Sequence, residues 1–456
     1  GGLRLEDEEV ADESTIMEWA SGTGVDGMWP GQVDLHAAPR QDPHPMSFFT
    51  DTEDREVERG DPLGGGAARD DPLDESSTTE ESRPLAVWSD FARFKTYSNS
   101  IVDVPFWDVH AGGFSTFAAG NFADSDCAIP HQTRDEYVDR LRVFLEACDH
   151  IQGWHCTVDA QGGFSGLAHS IIQEARDECR TATINCFMVM NPPELPTDIP
   201  PPPSSVFDTP EKKAARATLD HALCLHSLLS TASLITPLDS DLPAISANIA
   251  SMGLTTPEQT LVRTGILGYS IDAATFPYRH GQAVSMSAWA QGINFRSCTK
   301  VAALESCLPF QRHGVGPLLP LSPVPPDSAC LSRTVTSYTP NHVSPDVMTH
   351  LNKQHTSSIK HRWDFESGLN FRASEAQYYL WDARTDGRQD GDGVDEVPTF
   401  TSMGCPGSLG PFLETLADSF NSRDGPAVVA RRMSQLSRED AEGIEEDLRS
   451  VADGYS

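Results

Sequence analysis

The first strong pattern in the chain is helical and covers residues 134–149, where apolar residues recur every three or four positions. The residues on this face are Tyr137, Leu141, Phe144, Leu145 and Cys148. Thr133 and Glu136 have the spacing of a capping box, so the sequence predicts that the helix begins beside them. Apolar and polar residues then alternate over 154–158, which predicts a strand.

A glycine turn at residues 162–166 follows this strand, and a second helix follows the turn. The apolar face of that helix holds Leu167, Ile171, Ile172 and Ala175. Residues 184–190 form a nearly continuous apolar run, as is typical of a central parallel strand. Strand, helix and strand in this order predict a βαβ unit with a right-handed crossover, and therefore an α/β fold.

The pattern beyond residue 200 predicts further helices and one strand. The helices cover about 210–233, 256–276, 409–420 and a last stretch from Ser437, and the strand covers 397–403. Ser437 and Asp440 form a capping pair for the last helix. Residues 318–360 are rich in proline, serine and threonine, and we expect them to be partly mobile.

The net negative charge of the chain indicates which classes of partner it can bind. The chain has a formal net charge of −34 and a pI near 4.6, so nucleic acid and anionic lipid headgroups should repel it. The charge either favours basic partners or only gives the chain a solvated acidic surface that keeps it soluble. Residues 51–84 are an acidic, glycine-rich stretch that buries too little to fold. We find no run of about 18 apolar residues, so no membrane span is predicted.

Metal chemistry is not expected. The ten cysteines show no paired CxxC spacing, and several lie within apolar runs, which favours buried thiols in a reducing compartment. Cys148 and the pair His155 and Cys156 suggest zinc, but no second ligand pair stands at metal spacing.

The candidate ligand site is the glycine turn itself, with Gly162, Gly163, Ser165 and Gly166 as its residues. Backbone N–H groups and a helix N-terminus converge in such a turn, which suits a phosphate. The same stretch nearly forms the Gly-x-Ser-x-Gly elbow of serine hydrolases. Leu167 stands where that elbow needs glycine, and no His/Asp partner can be named, so we reject the hydrolase interpretation. No lysine of a P-loop and no Gly-x-Gly-x-x-Gly of a Rossmann fold is present.

The order of short motifs resembles that of tubulins. The matching stretches are Cys148–Gly153, the glycine turn, the strand ending in Met190-Asn191-Pro192-Pro193, and Phe276-Pro277-Tyr278-Arg279. Within that superfamily the chain is most similar to the Misato family, from about Leu85 to the C-terminus. The landmarks for that family are Trp88–Phe91, Cys148–Gly153, Gly163–Gly166, Pro277–Arg279, Val284–Met286, Val397–Phe400 and the closing helix through Tyr455.

The resemblance implies a tubulin/FtsZ-like parallel sheet with helices on both faces, a smaller C-terminal α/β domain and terminal helices. The domains expected on this basis are an N-terminal remnant (1–50), the acidic disordered linker (51–84), a degenerate nucleotide-binding domain (85–290), a second α/β domain with mobile inserts (291–425) and a C-terminal helix (426–456). The chain begins with Gly1, so we expect N-terminal sequence to be missing.

The resemblance also implies a non-enzymatic role in mitochondrial distribution, morphology and inheritance, in the cytoplasm and at the mitochondrion. It suggests the cytosolic chaperonin, tubulin or mitochondrial-surface proteins as partners. The rival interpretations are a polymerising GTPase and a module that binds basic partners through residues 51–84. Phe164 brings a bulky ring into the turn, which disfavours phosphate. Gly265–Leu267 align with the catalytic acid of tubulins, and Asp272 is the nearest carboxylate. No cofactor is therefore expected, although GTP binding without turnover stays open.

Overall fold

The protein is described by a computed structural model. It describes residues 100–102, 104, 114–191, 210–250, 256–279, 284–294, 299–307, 319–324, 330–338, 359–365, 399–421 and 436–455. The chain divides into two compact units, residues 1–103 and 104–456, and nearly all described residues belong to the second. The predicted segments 1–50 and 51–84, and the landmark Trp88–Phe91, lie outside the described residues.

The second unit combines helices with two sheets. The helices are α1 (Phe117–Gly120), α2 (His131–Ala147), α3 (Gly162–Glu178), α4 (Pro210–Thr231), α5 (Pro243–Ala250), α6 (Thr256–Arg279), α7 (Met286–Ile293), α8 (Leu409–Asn421) and α9 (Arg438–Asp453). The strands are β1 (Gly153–Asp159), β2 (Thr183–Val189), β3 (Leu234–Leu238), β4 (Ala303–Cys307), β5 (Leu319–Pro320), β6 (Cys330–Tyr338), β7 (Ile359–Phe365) and β8 (Thr399–Pro406).

The first sheet is parallel, in the order β1-β2-β3. Every residue of β2 is buried except Val189, which is intermediate, because β2 lies between two strands with helices above and below it. On one face Cys186 neighbours Cys224 of α4. On the other, the ring of His155 packs against Phe187 and Tyr278 of α6. The predicted βαβ unit and α/β class are therefore confirmed.

The second sheet has the order β5-β4-β8-β6-β7. Only β6 and β7 are parallel within it, and the other neighbours are antiparallel. An isolated parallel bridge joins Ile235 of β3 to Val301, just before β4. Tyr455 supports this junction, because its hydroxyl donates to the Val301 carbonyl at 2.6 Å and accepts from the Val301 N–H at 2.8 Å. The predicted domain boundary at residue 290 stays a prediction.

The predicted start of the first helix is wrong. Helix α2 begins at His131, and its N-cap is Pro130, which has an extended ψ of 151° and no side-chain cap. Thr133 and Glu136 therefore lie within the helix, where Glu136 pairs with Arg140 at 2.7 Å. The predicted apolar face is only partly covered, since Phe144 is 39% exposed.

Two further segments differ from the elements that the sequence pattern predicts. Strand β6, which the pattern did not predict, lies within residues 318–360 and in the interior of the second sheet. The partial mobility expected of this segment stays a prediction. β-Branched residues such as Thr334, Val335 and Thr336 favour this strand. The helix predicted over about 256–276 extends further, to Arg279, and Pro277 lies within the last turn of α6. The Ser437 cap is confirmed, because its hydroxyl accepts from the Asp440 N–H at 3.1 Å.

Candidate functional site

The four predicted site residues all lie in the first turns of α3, which begins three residues after the last residue of β1. They are Gly162, Gly163, Ser165 and Gly166. Gly162 has a φ of +52°, in the left-handed region that favours glycine. The strand, the turn and the helix N-terminus therefore stand in the order that the sequence predicts. Binding of phosphate at this turn stays a prediction.

The backbone N–H groups at this helix N-terminus already have acceptors within the protein. The Gly163 N–H donates to the carbonyl of Phe114 at 3.0 Å. The Gly162 N–H donates to a carboxylate oxygen of Asp220, on α4, at 3.2 Å. The Gln161 N–H donates to Asp159 at 2.9 Å. These are the donors that a bound anion needs, and here a carbonyl and two carboxylates take the place of an anion.

The space beside the glycines is also filled. A Cβ atom at Gly163 would lie 2.6 Å from the ring of Phe114. A Cβ at Gly166 would overlap the carbonyl of Phe117, and one at Gly120 would overlap the carbonyl of Gly163. Glycine at these positions lets the backbones of α1 and α3 approach closely.

The surroundings of this turn are acidic. Asp220 is 4% exposed, and burial raises its pKa to about 6, although Arg216 lies 4.0 Å away and opposes the shift. The second oxygen of this carboxyl has no hydrogen-bond partner among the described residues. Burial also raises the pKa of Asp159. A polyphosphate here would meet carboxyl groups, which oppose its binding.

The ends of β2 and β3 beside this turn are closed by the protein's own hydrogen bonds. The Met190 carbonyl accepts from the side chain of Gln161 at 3.0 Å and contacts His221 Nε2 at 2.5 Å. The Asn191 carbonyl accepts from the hydroxyl of Ser240 at 2.5 Å, and the Asn191 amide donates to Asp239 at 3.0 Å. These polar groups hold the strand ends together.

The rejected hydrolase interpretation finds no support in the geometry. Ser165 is fully buried, and its hydroxyl donates to the carbonyl of Gly162 at 2.6 Å. His169, one turn further along α3, lines a different feature, a groove beside α4. Ser165 therefore closes the first turn of the helix and is not accessible to a substrate.

The segment Gly265–Leu267, which aligns with the catalytic acid of tubulins, lies inside α6, where Ile266 and Leu267 are buried. Asp272, the nearest carboxylate, pairs with the guanidinium of Arg279 in the same helix. Its carboxylate therefore stabilises the last turns of α6 through an ion pair.

The described residues contain no group of three or more His, Cys, Asp or Glu side chains that could hold a metal ion. Cys156 and Cys186 are direct partners on β1 and β2, where Cys186 is buried in the core and Cys156 is partly buried against it. No helix among these residues is long and apolar enough to cross a membrane.

Three residues of this site were missed from the sequence, namely Phe114, Gly120 and Asp220. The sequence holds one signal for Asp220. On the helix it shares a face with Ala217, Leu223 and Cys224, and a carboxylate on an apolar face needs a buried partner. Nothing in the sequence pairs Phe114 or Gly120 with the glycine turn, because these contacts are made across the fold.

Comparison with known proteins gives consistent matches to one family. No protein-family model matches the chain. It is 27% identical over 292 residues to misato homolog 1 of Mus musculus, covering 62% of this chain and 48% of the mouse protein. It is 22% identical over 449 residues to misato homolog 1 of Homo sapiens, covering 86% and 75%. It is 28% identical over 200 residues to misato of Drosophila melanogaster, covering 42% and 32%.

The chain spans about half the length of the mouse relative and a third of the fly relative that it matches. All three matches carry the same family name, and the human match extends over most of the chain. They agree with the motif order from Cys148 to Arg279 described above. These matches support membership of the chain in the Misato family.

Proposed function

We propose that this protein is a non-enzymatic, tubulin-like member of the Misato family that acts in mitochondrial distribution, morphology and inheritance. Family membership and the motif order that resembles tubulins support the role and the fold. The parallel sheet β1-β2-β3, with helices on both faces, is compatible with a tubulin-like nucleotide-binding domain. The proposed place of action is the cytoplasm and the mitochondrial surface.

The observation that carries the non-enzymatic part of the proposal is the occupied N-terminus of α3. Asp220 and the Phe114 carbonyl accept from the two N–H groups of Gly162 and Gly163. A tubulin-type GTPase needs those donors for phosphate and a carboxylate to orient water. Here the donors are used, and Gly265–Leu267 offer no carboxylate. The glycine turn then serves packing between α1 and α3.

A role without catalysis requires protein partners. The family resemblance suggests the cytosolic chaperonin, tubulin or proteins of the mitochondrial surface. The formal net charge of −34 favours partners with basic surfaces. The rival role, an active GTPase that self-assembles, requires the α3 N-terminus to release both of its internal acceptors.

The nucleotide test is equilibrium binding of GTP, with and without Mg²⁺, measured by isothermal titration calorimetry on the purified chain. Because the N–H groups of Gly162 and Gly163 already have acceptors within the protein, we expect no saturable binding up to about 1 mM GTP, where ΔG° is weaker than about −4 kcal/mol. A known GTP-binding protein in the same buffer is the positive control. Mg²⁺-sensitive binding near micromolar, followed by turnover, would establish the GTPase instead.

The cellular test is rescue of mitochondrial distribution in cells depleted of the endogenous protein. We expect the wild-type chain and Asp220→Asn to restore the mitochondrial network equally, because the proposed role requires no nucleotide binding or hydrolysis at the turn beside Asp220. Mitochondrial area and dispersion are measured by light microscopy. If depletion leaves the network unchanged, the mitochondrial role is wrong. If only the wild type rescues while both fold, Asp220 has a functional part that packing does not explain.

A further inference from the structure

A second concave feature lies on the helical face of the unit, separate from the glycine turn. Helices α3 and α9 form its walls, and α4 forms its floor, with α1 at one end. This groove has a volume of about 870 Å³. Ligand sites in proteins commonly measure about 300–1,000 Å³, so the groove accommodates several side chains at once.

Apolar side chains line the groove without being fully covered. Those that are only partly buried are Phe117, Leu229, Leu436, Ile444 and Val451. They come from α1, from α4, and from α9 with the residues just before it. Covering them with another apolar surface removes area from water, which is favourable by roughly 25 cal/mol per Å². The groove therefore suits an occupant with an aliphatic face.

The floor of the groove is built from small residues. Ser227 and Ser230 stand three positions apart on α4, so they lie on the same side of the helix. Their hydroxyls donate to the carbonyls of Cys224 at 2.7 Å and Ser227 at 3.0 Å. The hydroxyls need nothing from an occupant, and their size leaves room for a backbone to approach α4.

The rim of the groove is acidic. The carboxylates that line it are Asp124, Asp177 and Asp447, and Asp447 contacts Nε2 of His226, which also lines the groove, at 2.9 Å. Arg176 also lines it, but its guanidinium donates to the carbonyls of Thr231 and Ala182, at 2.7 Å and 2.6 Å. That guanidinium therefore secures the ends of α3 and α4. Burial lowers the pKa of His169, which favours a neutral ring at the groove wall.

We propose that this groove is the docking site for an amphipathic helix of a partner protein, with an aliphatic stripe flanked by lysine and arginine. The aliphatic stripe covers Ile444, Val451 and Leu229, and the cations meet Asp177 and Asp447. This is the helix-in-groove mode of recognition, with charge complementarity at the rim. The inference rests on the proposed role as a protein-binding member of the family, and it names the chemistry of the partner.

A second copy of this chain does not fit as the occupant. Two copies each carry a formal net charge of −34, which opposes self-association. The acidic rim at Asp124, Asp177 and Asp447 acts in the same direction. Dimerisation through the groove is therefore an alternative outcome that sedimentation velocity detects.

The test uses two fluorescein-labelled helical peptides of about 18 residues, roughly 27 Å long. Both carry leucine and isoleucine on one face; one has lysine and arginine on the flanks, and the other has glutamate there. We expect saturable, salt-sensitive binding of the basic peptide alone, measured by fluorescence anisotropy on the full chain. Hydrogen exchange should show protection in α3, α4 and α9 when the basic peptide is bound.

Variants distinguish binding of the basic peptide in the groove from its general electrostatic attraction to an acidic protein. Asp177→Asn combined with Asp447→Asn should weaken binding about tenfold, and Ser227→Gln should weaken it through bulk on the floor. The matched control combines Glu439→Asn with Glu446→Asn, which removes two exposed carboxylates of α9 outside the groove lining. Far-UV circular dichroism checks that each variant is folded.

Several outcomes would overturn the inference. They are no saturable binding of the basic peptide, equal loss in the control variant, tighter binding of the glutamate peptide, or dimerisation that occupies the groove. The assay contains no nucleotide. If the separate nucleotide assay shows that GTP is bound and hydrolysed while the basic peptide also binds the groove, the non-enzymatic proposal fails and the docking inference stands.

Discussion

Replacing Gly166 with alanine is expected to destabilise the protein by about 3 kcal/mol, although alanine normally stabilises a helix. Gly166 lies inside α3, and an added Cβ would overlap the carbonyl of Phe117 and come within 2.8 Å of the Asn121 N–H nitrogen. Both are backbone atoms of α1 and its C-cap, so the overlap can be relieved only by separating the two helices. Urea unfolding followed by circular dichroism measures the change.

The matched controls are Gly443→Ala in α9 and Gly268→Ala in α6. A Cβ at either position has no heavy atom within 4 Å apart from its chain neighbours and the backbone of its own helix, and both residues are exposed. We expect each control to gain about 0.5–1 kcal/mol, because alanine restricts the unfolded chain and suits a helix interior. If Gly166→Ala also stabilises the protein, then α1 does not pack on α3 at the described distance.

The stability changes expected for Gly166→Ala and for its two controls have opposite signs, and this difference also bears on the function of the turn. A glycine that is kept for phosphate binding should tolerate alanine in the absence of nucleotide, because the space beside it is open. Gly163 and Gly166 instead face Phe114 and Phe117. A large loss in the nucleotide-free protein therefore supports a packing role for the turn.

Much of the fold follows from sequence because its elements have simple hydrophobic patterns. The strand over 184–190 is recognised as buried on both faces, and β2 is flanked by β1 and β3. Helix α9 begins at the cap that Ser437 and Asp440 predict. In these segments local preference and tertiary packing favour the same structure.

The wrong predictions arise where local sequence preference and tertiary packing favour different structures. Proline at position 130 already has the extended backbone of an N-cap, so α2 begins before the capping box at Thr133. Strand β6 follows a proline-rich stretch and was missed, because its order comes from pairing with β7 and β8, far away in sequence. Composition alone does not report such pairing.

The candidate site was predicted in part. Its position at the turn between β1 and α3 follows from local sequence, since glycine and helix signals adjoin there. Its internal acceptors do not, because Asp220 is 58 residues from Gly162 and reaches it only through the packing of α4 on α3. Phe114 lies about 50 residues before the turn, and its contact also depends on the fold.

The replacement Asp220→Asn is expected to stabilise the protein near pH 7–8 by about 3 kcal/mol. Burial raises the pKa of Asp220 from 3.8 to about 6, so the folded state favours the protonated carboxyl. The stability that this group contributes is present below pH 4 and is lost as the pH rises through about 6. Asparagine cannot ionise, yet its oxygen can still accept from the Gly162 N–H.

The measurement is the free energy of unfolding for wild type and Asp220→Asn between pH 4.5 and pH 8. The difference should be largest at pH 7–8 and shrink toward pH 4.5, and groups shared by both proteins, such as His221, cancel from it. Asp220→Ala should lose stability throughout, since the buried Gly162 N–H then has no acceptor. Asp177→Asn, an exposed carboxylate on α3, controls for net charge. If Asp177→Asn gives the same gain in stability as Asp220→Asn, or if the gain is independent of pH, then the buried carboxyl of Asp220 is not the cause of the gain.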